Sequence, residues 1–127
     1  IGLGLVGSLP EKMPPHQLAF WVQKRLGVKG LRYYAAQNQI EQVAVCGGSG
    51  GSLLAKAAAK GVQALITGDI RHNVFLEAKQ MGITLIDAGH FATENVVLPL
   101  LARQLGAACP GVAVHQARSS VDILSYL

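Results

Sequence analysis

The chain lacks the features that membrane spans, disordered segments and disulfide-rich domains require. Half of its 127 residues are hydrophobic and only 14% are charged, which excludes a disordered chain. No apolar run approaches the roughly 20 residues that a transmembrane helix needs. The apolar residues 1–6 have neither a basic leader nor a cleavage site, so we do not interpret them as a signal peptide. Cys46 and Cys109 follow no disulfide or metal spacing, so we expect two buried thiols in a cytoplasmic protein.

Aromatic residues are also scarce, at 6%, and no basic run with interleaved aromatics is present. The net charge of +4 comes from eleven Lys and Arg residues spread along the chain, with the densest group at Lys24, Arg25, Lys29 and Arg32. We interpret this group as a solvated surface, with a patch for an anionic partner as the alternative. A nucleic-acid partner is not expected, because no motif for one is present.

An initiator Met is missing as well, so the chain is either processed or a piece of a longer protein. Its 127 residues are enough for one domain with one core. We expect an irregular segment over residues 1–14, because it is rich in glycine and proline. An amphipathic helix should follow over residues 15–26 and end at Gly27, with a short strand at residues 30–34.

Glycine is abundant, and it ends each repeat of a regular pattern that starts at residue 42. Short apolar runs alternate with helix patterns, which predicts an α/β fold with a mainly parallel sheet and helices on both faces. Pro99 should kink the third of these helices or shift its first turn. The resulting βαβ core covers residues 42–127. The predicted strands are 43–46, 64–67, 83–86 and 112–115, and the predicted helices are 53–60, 73–81 and one that ends at Leu105 before Gly106.

The most informative stretch is Asp87-Ala-Gly-His-Phe-Ala-Thr-Glu94, between two apolar runs. His90 and Glu94 are four residues apart and share one face if the chain is helical there. Imidazole and carboxylate groups suit zinc, iron, manganese or a similar divalent ion. Asp87 either caps the helix or orients His90.

Two further loops should lie at the same edge of the sheet, because each follows a parallel strand. The glycine-rich residues 47–52 form either a tight turn or a cradle for an anion, in which Gly47, Gly48, Ser49 and Gly50 would contact substrate. Asp69, Arg71 and His72 either cap a helix and face solvent or contact substrate. We regard His16 and His115 as structural or surface residues.

Three segments together resemble the NGG-one-interacting-factor-three-like family. They are residues 43–51 (Val-Ala-Val-Cys-Gly-Gly-Ser-Gly-Gly), 66–72 (Ile-Thr-Gly-Asp-Ile-Arg-His) and 85–94 (Leu-Ile-Asp-Ala-Gly-His-Phe-Ala-Thr-Glu). Members of this family are described as type 2 GTP cyclohydrolase I homologues or dinuclear metal-centre proteins. Leu5 stands where the family usually has Arg.

The resemblance implies a pair of divalent metal ions held by a His-His-Pro motif and an Asp of an N-terminal lobe, together with a His and a Glu that match His90 and Glu94. No His-His pair occurs in this chain, which therefore resembles the C-terminal lobe of a two-lobed fold. The resemblance also implies assembly into a homohexameric ring. A single lobe should expose the apolar surface that the other lobe would cover, and it should bind divalent metal ions weakly or not at all.

Two functions remain open at this stage. The first is a metal-dependent hydrolase acting on a nucleotide or another phosphorylated small molecule, with the glycine loop and Arg71 holding the anionic group. The second is a non-catalytic ring scaffold or regulatory protein whose metals are structural or sensory. Both need the same ligands, so the motifs alone do not separate them, and no catalytic residue is assigned.

Overall fold

The computed structural model describes residues 2–127 as a five-stranded sheet flanked by helices. In chain order the elements are β1 (Leu5–Met13), α1 (Pro15–Leu26), β2 (Arg32–Tyr34), β3 (Ile40–Ser49), α2 (Leu54–Ala59), β4 (Ala64–Gly68), α3 (His72–Met81), β5 (Thr84–Asp87), α4 (His90–Asn95) and α5 (Leu98–Ala108), with a single 3₁₀ turn at Gly51–Leu53 before α2. None of the helices within residues 2–127 is long and apolar enough to cross a membrane.

The strand order is β1-β3-β4-β5-β2. The three central strands are parallel, with Val43 opposite Ala64 and Ala64 opposite Thr84. The edge strands β1 and β2 are antiparallel to their neighbours. The predicted α/β fold is therefore confirmed, and the sheet is mixed, with its parallel part in the centre.

Helices cover both faces of the sheet, as predicted. On one face α1 packs on the strands through Leu18, Ala19 and Val22. On the other face α2 and α3 pack on Leu65 and Leu85. All five residues of β4 are buried, as expected for a parallel strand with helices on both sides.

The first helix begins and ends where its sequence predicts. Pro15 occupies its first turn, where a missing N–H group costs nothing. Gly27 takes a left-handed conformation with φ of 66° and ends it. The predicted strand at residues 30–34 is β2, which is three residues long.

The prediction of an irregular segment over residues 1–14 is wrong for Leu5–Met13, which form β1 (Ile1 lies outside the described residues). This strand pairs with β3 from Leu5 opposite Val45 to Ser8 opposite Gln42, and its register shifts before Met13. Pro10 is compatible with it because an edge strand has one side without ladder partners. Its glycine and proline thus indicate an edge strand.

Three predictions in the C-terminal part are also wrong. The third helix, expected as one element, is divided into α4 and α5, and Pro99 lies in the first turn of α5, where proline is tolerated. Gly106 lies inside α5 and does not end it. Residues 112–115 form no strand and pair with neither edge of the sheet.

Two smaller differences concern the glycine segment and the thiols. Residues 47–49 belong to β3, so the predicted loop 47–52 is partly a strand end. Cys46 is half-buried and Cys109 is exposed, so the expectation of two buried thiols is wrong.

Candidate functional site

The site centres on His90, at the first turn of α4 and beyond the carboxyl end of β5. Its Nδ1 lies 2.7 Å from the Oδ2 of Asp69, which follows β4. Its Nε2 lies 3.2 Å from the Oε1 of Glu94, one helical turn further on. When Nδ1–H donates to Asp69, the lone pair of Nε2 remains free to bind a metal ion.

These contacts change the titration of the imidazole. The hydrogen bond with Asp69 has the largest effect, and it raises the pKa of His90 above its ordinary value of 6.5. The negative charge of Glu94 acts in the same direction. Because a metal ion needs the neutral imidazole, the same carboxylates that orient the ring also favour its protonated form.

Asp87 holds the two loops of the site together without contacting His90. Its carboxylate is buried and accepts hydrogen bonds from the N–H groups of Ile70 and Gly89, each at 3.1 Å. Arg32 of β2 donates to the same carboxylate at 2.5 Å and to the Ile70 carbonyl at 2.7 Å. Ile70 adjoins Asp69 and Gly89 adjoins His90, so Asp87 sets the distance between those two side chains.

Asp69 has a left-handed backbone, with φ of 54°, the single non-glycine residue with positive φ in the described chain. Such a conformation is unfavourable for most residues and less so for Asp. The next residue, Ile70, is held in place because its N–H donates a hydrogen bond to the Asp87 carboxylate. The conformation presents the Asp69 carboxylate to the imidazole of His90.

The end of β3 forms the other wall of the site. Gly48 has φ of 66°, and a side chain there would collide with the carboxylate of Glu94 and lie 3.2 Å from His90 Nε2. Its N–H donates to the Thr93 hydroxyl at 2.9 Å. Thr67, fully buried in β4, accepts from Gly50 N–H and donates to the Gly48 carbonyl, both at 2.9 Å. Glycine is thus required at position 48 for the strand to approach the two candidate ligands.

An open cleft of about 1320 Å³ lies over His90 and Glu94. Its walls come from the start of β2, the ends of β3, β4 and β5, all of α4, and the C-terminal segment 120–126. Gly47 and Asp69 line the cleft. Arg71 and His72 are exposed at the start of α3 and do not line it. Ser49 is exposed and Gly50 is buried, and both are also outside the lining.

The comparisons with known proteins agree with this architecture. The family model described as Duf34/NIF3 (NGG1p interacting factor 3) matches residues 1–122. The chain belongs to the Duf34/NIF3 family. This confirms the resemblance that the three sequence segments indicated.

Among the relatives of this Duf34/NIF3 chain is a Bacillus subtilis protein named GTP cyclohydrolase 1 type 2 homolog. It is 34% identical over 109 residues, which are 85% of this chain and 29% of that protein. A Nostoc protein of the same name is 35% identical over 108 residues, which are 83% of this chain and 41% of that protein.

Solved structures show the same fold. A hypothetical protein from Staphylococcus aureus superposes with a TM-score of 0.86 at 26% identity, covering 99% of this chain and 43% of that chain. A Bacillus cereus protein related to NIF3 gives 0.84 at 30% identity, covering 99% of this chain and 36% of that one. The chain therefore spans less than half the length of these relatives.

The donor set of this Duf34/NIF3 chain fits part of a metal site. His90 and Glu94 provide an imidazole nitrogen and a carboxylate oxygen on one helix face, half-exposed to the cleft. Within residues 2–127, no group of three or more His, Cys, Asp or Glu side chains is arranged to hold a metal ion. A zinc site in a protein generally has three or four protein ligands. The described residues thus offer two candidate ligands, His90 and Glu94, and a residue, Asp69, that orients the first of them.

Sequence reasoning missed three parts of the site. Thr93 lies inside the motif that identified His90, but only the structure shows that its hydroxyl joins α4 to β3. Arg32 belongs to the basic group that we interpreted as a solvated surface. The cleft-lining segment 120–126 carries no periodic pattern, so nothing in its sequence indicated its position.

Proposed function

We propose that His90 and Glu94 bind a divalent metal ion and that the protein is a metal-dependent hydrolase acting on a nucleotide or another phosphorylated small molecule. The observation that carries the metal assignment is the pair of contacts made by His90. Asp69 holds Nδ1 at 2.7 Å, and Nε2 faces Glu94 at 3.2 Å beside a backbone that only Gly48 permits. A ring fixed on one nitrogen and free on the other is typical of a metal-binding histidine.

The residues of the chain have distinct parts in this proposal. Asp69 orients the imidazole of His90, and Asp87 with Arg32 fixes the position of Asp69. Gly48 leaves room for the ligands, and Thr93 ties α4 to the strand beside them. A bound divalent ion would polarise the electrophile and lower the pKa of a water molecule. In this proposal, donors other than His90 and Glu94 complete the site, which then holds a pair of metal ions. The protein that carries the complete site is a homo-oligomer.

The hydrolase class is supported by the names of the relatives, which are GTP cyclohydrolase 1 type 2 homologs. Metal-dependent turnover of GTP, measured with and without a chelator, tests it. Turnover that is unaffected by the chelator, or absent from a metal-loaded homo-oligomer, would leave the proposed hydrolase without support.

The metal assignment is tested by calorimetric titration of zinc and manganese into the 127-residue chain. We expect weak binding that is lost in His90→Ala and Glu94→Gln, because each removes one of two ligands. His115→Ala is the matched control, since His115 is an exposed histidine outside the cleft lining. Equal binding by the wild-type chain and His90→Ala would refute the assignment.

A further inference from the structure

A second groove, of about 270 Å³, adjoins the main cleft. It lies between the carboxyl end of α1, helix α4 and the C-terminal segment. The two grooves share one wall and are therefore adjacent, and we refer to the two together as the depression. The shared lining residues are Phe91, Ala92, Asn95, Asp122, Leu124 and Tyr126.

The charge changes along this depression. The main cleft contains four carboxylates, Asp69, Asp87, Glu94 and Asp122, and its one Arg or Lys, Arg32, is bound to Asp87 and to a backbone carbonyl. The second groove contains Arg25 and Lys29. One end of the depression thus favours cations and the other favours anions.

Arg25 and Lys29 are available to a ligand. Neither forms an ion pair with any carboxylate of residues 2–127. Asp122, the acidic residue of the second groove, has an oxygen that accepts the N–H of Leu124 at 3.0 Å. Arg25 lies over the ring of Trp21, 5.2 Å from its centroid, a contact that uses the guanidinium face and leaves its N–H edges for an anion.

We propose that this groove is the subsite for the phosphate end of the substrate, bound by Arg25 and Lys29. The inference rests on the proposed function, since it places one end of a substrate whose other end lies at His90 and Glu94. Phe91 and Tyr126 line the shared wall between the ends, and their rings suit a planar ring in the substrate. The ligand class is therefore a phosphorylated compound that carries a flat ring.

The proposed subsite assigns to Arg25 and Lys29 the anion-binding role that the sequence analysis gave to Arg71. Arg71 does not line either groove. The glycine segment faces the candidate metal ligands, and the N–H of Gly48 is already bound to Thr93. Among the described residues that line the two grooves, the Arg and Lys side chains without a carboxylate partner are therefore Arg25 and Lys29 of the second groove.

Pyrophosphate titrated into the metal-free chain tests the subsite without requiring turnover. We expect saturable binding by calorimetry, with amide chemical-shift changes at residues 25–29 and 122–126. The double variant Arg25→Gln/Lys29→Gln should bind at least about tenfold more weakly, because two charge-assisted contacts are lost. The single variant Lys29→Gln should show part of this loss of affinity. It replaces the double variant in the test if the double variant does not fold, because Lys29 lies outside α1.

The matched control is Lys56→Gln/Lys60→Gln, which removes two exposed cations at α2, on the other face of the sheet. It should bind pyrophosphate within about twofold of the wild-type chain. An equal loss in this control would show a nonspecific effect of net charge and overturn the subsite. The absence of saturable binding by the wild-type chain would overturn it as well.

His90→Ala separates the subsite from the metal proposal. The subsite predicts that this variant keeps its pyrophosphate affinity, whatever happens to zinc binding. If it loses pyrophosphate as strongly as the double variant does, the anion binds at His90 and the subsite is refuted. If zinc binding is unchanged while the double variant loses pyrophosphate, the metal proposal fails alone.

Discussion

The part of the chain from β3 to α4 and the part from α5 to the end are both rich in apolar residues, but they bury them very differently. Leu65, Leu85 and Ile86 are 1%, 0% and 0% exposed, whereas Leu105 in α5 is 53% exposed. Helix α5 has no buried residue at all within its described length. An apolar periodicity therefore predicts that a helix forms, while burial depends on whether another surface is available to it.

The same comparison explains the locations of the site and of the errors. In the first part, parallel strands bring loops that are distant in sequence to one edge, where Asp69 meets His90. In the second part, residues 109–127 form no helix or strand, although segment 120–126 still lines the cleft. The contacts of this segment are made by individual side chains, such as Tyr126, whose ring lies beside Gly30.

The largest effect should come from truncating the same residue type in both parts. Leu85→Ala should lower the free energy of unfolding by about 2–5 kcal/mol, because it leaves a cavity in the core. Leu105→Ala, on exposed α5, should change it by no more than about 0.5 kcal/mol. Urea denaturation of the two variants measures both values. Similar losses would mean that α5 is packed as firmly as the sheet.

A glycine-to-alanine pair should give changes of opposite sign. At Gly68 an added Cβ would lie 2.6 Å from the backbone of Gly89, so Gly68→Ala should destabilise by about 1–3 kcal/mol. At Gly106 nothing lies within 4 Å of an added Cβ, and Gly106→Ala should stabilise α5 by about 0.5–1 kcal/mol. Thermal and urea unfolding of both variants provide the check. A stabilising Gly68→Ala would show that the two loops are not closely packed.

The smallest effect should be electrostatic and confined to the first part. Asp69→Asn should lower the pKa of His90, because the hydrogen bond with Asp69 is the main cause of its rise. The pKa of His90 is higher in the folded than in the unfolded state. The contact with Asp69 therefore stabilises the fold fully at pH values below the unfolded-state pKa of His90, and this stabilisation disappears as the pH rises through the folded-state pKa. NMR titration of the His90 ring measures the shift. An unchanged His90 pKa in Asp69→Asn would contradict the contact.

Local sequence signals were sufficient for the central elements. The apolar runs without alternation predicted β3, β4 and β5, and Gly27 and Gly82 predicted the ends of α1 and α3, which both take left-handed conformations there. His90 and Glu94 were placed on one helix face from their spacing alone, and the structure has them 3.2 Å apart. These features depend on backbone periodicity and on the conformational freedom of glycine, which are properties of neighbouring residues.

What the sequence by itself determined is therefore the parallel α/β core, its glycine-ended helices and the His90–Glu94 pair. Tertiary structure alone decided that Leu5–Met13 is an edge strand, that residues 112–115 are not a strand, and that Arg32 belongs to the site while Arg71 does not line it. The physical reason is that a strand needs a neighbour to satisfy its backbone hydrogen bonds, and a charged side chain acts on whatever the fold brings within its reach. Neither partner can be identified from residues adjacent in the chain.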